Sequence, residues 1–217
     1  MLPQNGFVEV RKKTETYEKQ EVYNLEVGQW HNFLVGSSGV VVHNSCFDNL
    51  KIGSEIDRGG EKIVYNIVNK PNLAIGILKD GIPSSKIDDE IALLKNISDQ
   101  GLPVVPVLEK GIFEGKPALI YERFAIGSKK IVRTKDGVVQ IVGNSKLLNR
   151  RSIDDLTKIR NKMTSKYLKI DDLQFLIAED GRIVISDPLK LSTMTTPSDK
   201  NLETIDLLIE VAKKNVP

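Results

Sequence analysis

The sequence predicts an α+β protein in two parts, a small all-β unit over residues 1–45 and a larger unit of strands and helices over residues 46–217. Three observations carry that reading. Residues 6–44 break into short runs of β-forming residues separated by Gly and Ser turns. A junction follows between Asn44 and Asn49. Beyond it, strand-like runs alternate with stretches whose apolar residues recur at helical spacing.

In the first unit the runs are Phe7–Val10, Val22–Val27, Phe33–Val35 and Gly39–Val42, parted by Gly28 and by Gly36-Ser37-Ser38-Gly39. The second unit opens with strands over residues 50–80 around the turn-rich stretch Gly53–Gly60. Asp88–Asn96 carries Ile91 and Leu94 at helical spacing and is stopped by Gly101-Leu102-Pro103. Strands are expected at Val104–Leu108, Gly111–Phe113 and Ala118–Phe124, the last two joined by Glu114-Gly115-Lys116-Pro117, and a hairpin at Ile131–Val142 around Asp136-Gly137. Ser152, with Asp155 three residues on, has the form of a helix cap, and that helix runs to about Lys166. A strand pair, Leu173–Ala178 and Arg182–Ser186, turns at Glu179-Asp180-Gly181. Ser198 or Asp199 caps a final amphipathic helix bearing Leu202, Ile205, Leu208, Ile209 and Val211.

Composition narrows the function classes. With 40% hydrophobic and 28% charged residues the chain has the balance of a globular protein, and no run approaches the roughly 18 consecutive apolar residues of a membrane span. Lys and Arg total 31 against 29 Asp and Glu, so a net charge of +2 gives nucleic acid no support as a partner. The one cysteine, Cys46, excludes an intrachain disulfide, and no Cys/His cluster has zinc-site spacing. Met1–Val10 has neither a basic head nor an apolar core, so no export signal is expected in this chain.

Three consecutive blocks, Val22–Val27, His31–Gly36 and Gly39–Asn44, resemble the C-terminal end of Hint (hedgehog/intein) domains, most closely those that precede toxin domains in bacterial polymorphic toxins. An Asn side-chain amide attacks its own carbonyl carbon, closing a succinimide and breaking the following peptide bond, while a neighbouring His protonates the departing amide. The resemblance implies Asn44 as the cyclising residue, His43 as its penultimate helper, His31 as an upstream assistant and Ser45 as the first residue released. A complete domain of that kind begins with a nucleophilic Cys or Ser far upstream. None stands there in this sequence, so a truncated remnant without the thioester half-reaction is expected.

Residues 50–191 carry an ordered series of motifs that resembles a compact, two-lobed protein-kinase-like domain, of the kind found at the ends of Rhs-type polymorphic toxins. Gly53 and Gly59-Gly60, between strands, stand where a phosphate-covering loop belongs, because glycine lets backbone N–H groups approach phosphate oxygens. Glu90 opens Glu90-Ile91-Ala92-Leu93-Leu94, similar to the helix whose glutamate pairs with a phosphate-holding lysine. Ala118–Phe124 resembles the strand into the hinge, with Glu122 at the position that meets adenine. Asp171-Asp172-Leu173-Gln174 and Ser186-Asp187-Pro188 resemble the catalytic loop and the metal-binding turn. Asp187 would then bind Mg²⁺ and Gln174 would occupy the second metal-ligand position, usually Asn.

Two positions depart from the pattern. Leu73-Ala74-Ile75-Gly76 has glycine where the kinase lysine belongs, and Lys79 is the nearest substitute, although an offset of three residues turns it to the other face of a regular strand. Five residues before Gln174 stands Lys169 rather than Asp, leaving Asp171 or Asp172 as base, or Lys169 itself as a cation steadying the transferred group. The resemblances together imply a toxin-tip fragment that transfers phosphoryl from ATP, with Mg²⁺, to an unknown acceptor. A possible immunity protein and action inside a target cell after secretion are implied with it. The alternatives are a pseudokinase or binding module, or peptide cleavage after Asn44 alone.

Overall fold

A computed structural model of the chain describes residues 32–35, 40–43, 47, 49–128, 130–133 and 139–216. The chain divides into a unit Met1–Cys46 and a unit Phe47–Pro217. Of the first, an antiparallel hairpin is described, β1 (Asn32–Val35) paired with β2 (Val40–His43) in the register Asn32↔His43. The expected strands Phe7–Val10 and Val22–Val27, and His31, Asn44 and Ser45, lie outside the described residues, whereas His43 is the last residue of β2.

The second unit begins with an antiparallel meander, β3 (Ile52–Arg58), β4 (Lys62–Ile67) and β5 (Lys70–Leu78). Most of the stretch expected as a turn is strand, because Glu55, Asp57 and Arg58 pair with β4, and the turn itself is confined to Gly59-Gly60-Glu61. Helix α1 (Ser85–Asp99) follows, then β6 (Val107–Phe113) and β7 (Lys116–Glu122), giving one sheet in the order β3-β4-β5-β7-β6. Alternation sorts the two faces of this sheet. Ile75, Ile77, Ala118 and Ile120 pack on one face with Phe47, while Leu78, Leu119 and Tyr121 pack on the other with Ile87 and Leu94 of α1. Residues 74–78 of β5 are all buried, as expected of a central strand covered on both sides.

The chain then crosses to the C-terminal half through β8 (Ala125–Ile126), which joins β12 (Gln174–Ile177) and β13 (Ile183–Ser186) in a three-stranded sheet. Gly127 permits this crossing: a Cβ there would stand 2.6 Å from Ile177 Cγ1. The hairpin β9 (Lys130–Arg133) and β10 (Val139–Val142) lies where the sequence predicts one, its Asp136-Gly137 turn outside the described residues.

Helix α2 (Arg150–Ser165) starts before the expected cap. Asn149 is the N-cap, accepting from the N–H groups of Arg151 and Ser152, and the Ser152 hydroxyl accepts from the Asn149 N–H in return. Helix α3 (Asp199–Asn215) lies against α2, and Leu156, Ile159, Met163, Ile205 and Leu208 close the C-terminal core around Phe175. Two short strands that the sequence reading omits, β11 (Leu168–Asp171) and β14 (Lys190–Thr193), form a separate antiparallel ribbon.

Candidate active site

A cleft of about 830 Å³, counted with its open mouth, separates the five-stranded sheet from the β8-β12-β13 sheet. Val64 and Ala74 line it from the large sheet and Leu176 from β12, with Val105, Tyr121 and Phe124 between, so one end is an apolar slot. The other end is polar, lined by Lys62, Glu90, Gln174, Asp187 and Gly59.

Lys62 is the centre of that polar end. Its ammonium lies 2.6 Å from Glu90 Oε1 on α1 and 3.1 Å from Asp187 Oδ1 after β13. Tyr121 donates its hydroxyl to the same Glu90 oxygen at 2.8 Å, and Lys62 Nζ stands 5.4 Å from the centre of the Tyr121 ring. Burial disfavours the charged lysine, but the carboxylates of Glu90 and Asp187 beside it override that cost and raise the Lys62 pKa above its usual 10.5. The Tyr121 phenol is pushed up by burial, with Glu90 adding to the effect, so it stays neutral and remains a donor. At neutral pH the triad is therefore a largely buried cation between two carboxylates, one of them mostly covered and the other, Asp187, 53% exposed toward the cleft.

Gly76 makes this arrangement possible. It pairs with Val64 across the β4–β5 ladder, and a Cβ on it would come within 2.9 Å of Tyr121 Cε2 and 3.6 Å of Lys62 Cδ. The Lys62 stem and the Tyr121 ring occupy the space that a side chain at position 76 would fill. The lysine therefore enters from β4, two residues before Val64 on the same face, rather than from the β5 position where the kinase pattern places it. Lys79, the substitute considered from sequence, points elsewhere and donates to the Gly59 carbonyl, fastening the β3–β4 turn.

The remaining candidates divide. Gly59 sits beside the triad, where a Cβ would be 4.0 Å from Asp187 Oδ2; Gly60 is exposed, with nothing within 4 Å of such a Cβ. Gly53 lies far back along β3, packed near Asn66 and Val68, away from the cleft. Glu122 lines the cleft, and its carboxylate accepts from Arg182, whose guanidinium stands 4.8 Å from the centre of the Phe124 ring. Gln174 Nε2 donates to Asp172 Oδ2 at 2.7 Å, leaving its amide oxygen as acceptor. Asp171 is held by Lys169 at 2.8 Å, and that hydrogen bond lowers its pKa below the usual 3.8. Both Asp172 and Asp187 have left-handed backbones, with φ of 56° and 48°, so each carboxylate sits on an abrupt strand exit.

The donor set suits Mg²⁺ bound with a nucleoside triphosphate. One carboxylate and one amide oxygen are hard ligands, and they are few, as a cation that keeps waters and phosphate oxygens requires. The apolar slot next to a fixed ammonium matches a flat base joined to phosphates.

The chain matches the family described as the type III secretion system effector HopBF1 kinase domain over residues 32–216. It is 24% identical over 172 residues to the type III effector protein HopBF1 of Pseudomonas syringae pv. syringae (strain FF5), covering 76% of this chain and 83% of that protein. The family match begins inside the segment that resembles a Hint terminus. This protein belongs to the HopBF1 kinase-domain family and is a kinase-like phosphotransferase.

Proposed function

As a member of that family, we propose, the chain is an effector enzyme that transfers a phosphoryl group from ATP to a hydroxyl acceptor. The observation that carries the reading is the Lys62–Glu90–Asp187 triad at the polar end of an apolar cleft. Lys62 would hold the phosphates of ATP, and Asp187 with the Gln174 amide oxygen would hold Mg²⁺; bound there, the metal nucleotide supplies the transferable group.

The protein's own part is positioning. Glu90 and the Tyr121 hydroxyl fix the Lys62 ammonium, so it needs no reorganisation as charge shifts during transfer. Val64, Ala74 and Leu176 exclude water around the base. Of the two candidate bases, Asp171 is the weaker proton acceptor, because its ion pair with Lys169 depresses its pKa. Asp172, exposed and oriented by Gln174, is assigned as the group that takes the acceptor's proton.

Incubation of the purified chain with labelled ATP and Mg²⁺, beside Lys62→Ala and Asp187→Ala, tests this directly. Label transfer to the chain itself or to proteins of a cell extract is expected from the wild type and lost in both variants. Equal labelling in all three overturns the reading.

The relative's character supports delivery by a type III secretion system as the route to a target cell. The Hint-like segment keeps a separate proposal, residual cyclisation of Asn44, supported by the three sequence blocks that end at His43-Asn44. Intact-mass measurement decides it: a break after Asn44 that disappears in Asn44→Ala is required.

A further inference from the structure

Asn201 is a polar side chain buried in the C-terminal core, 4% exposed, on the first turn of α3. Its amide clasps one residue of β11 from both sides. The Ile170 N–H donates to Asn201 Oδ1 at 2.8 Å, and Asn201 Nδ2 donates to the Ile170 carbonyl at 2.9 Å. These are the two bonds a neighbouring strand would make, supplied instead by one side chain at the edge of a two-stranded ribbon. Burying an amide costs free energy unless every polar atom is paired, and here the pairing is spent wholly on Ile170.

Ile170 directly precedes Asp171 and Asp172. The chain leaves β11 at Asp172 through a left-handed residue and returns at Gln174, so there is little slack between the clasp and the carboxylate. We infer that Asn201 is a positioning residue for phosphoryl transfer: by fixing the Ile170 backbone it sets Asp172 against the acceptor hydroxyl. This rests on the assignment of Asp172 as the base.

Kinetics of Asn201→Leu and Asn201→Ser in the full chain test it, with kcat expressed per ATP-binding site so that misfolded protein does not count. A fall of about 10- to 100-fold in kcat is expected for Leu, as for a catalytic group displaced by about 1 Å, and a smaller fall for Ser. KM for ATP should stay within about twofold, because the triad that holds the nucleotide is untouched. In an Asp172→Ala background, either change at position 201 should cost nothing further. Unchanged kcat per site, or a loss that adds in full to that of Asp172→Ala, overturns the inference. Failure of both variants to bind ATP also overturns it and makes Asn201 a scaffold residue. If Asp172→Ala itself keeps wild-type kcat, it is the base assignment that fails, and the inference goes with it.

Discussion

The side chain that pairs with Glu90 enters from the strand beside the one on which a kinase pattern places it, and the reason is steric. Position 76 faces the cleft between two large neighbours, so glycine there is the counterpart of lysine at 62. Lys62→Ala should lower phosphoryl transfer by about 100-fold or more, the scale of removing a preorganised electrostatic partner, whereas Lys79→Ala should cost far less, since it loosens only the Gly59 turn. Because Lys62 and Glu90 side chains are 13% and 16% exposed, the same Lys62→Ala change should also destabilise the fold, by about 3 kcal/mol, by stranding a buried carboxylate. Denaturant unfolding run beside the assay separates the two effects. Gly76→Ala should cost about 1–3 kcal/mol through overpacking against Tyr121, readable in the same unfolding experiment. Glu90, Gln174 and Asp187 were legible in the sequence because each sits in a local motif. Lys62 was not, because the motif is read along one strand and the substitution acts across two. The available signal was the glycine itself, in a central strand where a large neighbour must fill the gap, with a lysine on the cleft-facing register of the adjacent strand.

At the scale of elements, helices α1, α2 and α3 follow the apolar period of the sequence, and the differences lie at their ends. Helix α1 begins at Ser85 rather than Asp88, just after Pro83 has fixed the chain's entry. In α2 the acidic Asp155 suggested a Ser152 cap, but Asn149 takes that place and Ser152 becomes the returning partner of the capping box. Asn149 Nδ2 also donates to the Asp180 carbonyl, tying the helix start to the β12–β13 turn. Asn149→Ala should therefore destabilise the chain by about 1–2 kcal/mol, at the upper part of the range for a lost cap, and a denaturant titration against wild type measures it. The strands that escaped the sequence reading, β11 and β14, are four residues each and pair Leu168 with Thr193. Nothing local marks such a partnership: no tight turn joins the two, and the intervening chain forms another sheet. Yet this ribbon ends at Asp171 and Asp172 follows it directly, so the least legible element leads into the proposed base.

Across the whole phosphotransferase unit, the cleft is built from both halves, lined by Val64 and Lys62 on one side and by Leu176 and Asp187 on the other, where the two ends of the proposed nucleotide would be met. A ligand that bridges them should stabilise the native state by mass action. MgATP at a hundredfold excess over its Kd adds about 2.7 kcal/mol, on the order of a 5–10 °C rise in Tm for a domain of this size. The pH dependence follows from the signs of the shifts. Lys62 is raised above 10.5, so the stability it contributes is fully present below that value and is lost only as pH rises through the higher folded pKa. Asp171 is lowered below 3.8, so its contribution is present above 3.8 and is lost as pH falls through the lower folded pKa. Neither group titrates between those limits. The Tm rise caused by MgATP should therefore stay level from pH 7 to pH 10, where the nucleotide's own phosphates are also fully ionised, and should be small in Lys62→Ala throughout. A rise that decays across this interval in the wild type would mean that the ammonium is losing its proton. The enclosure by Glu90 and Asp187 would then be too weak to make Lys62 the fixed cation of the site.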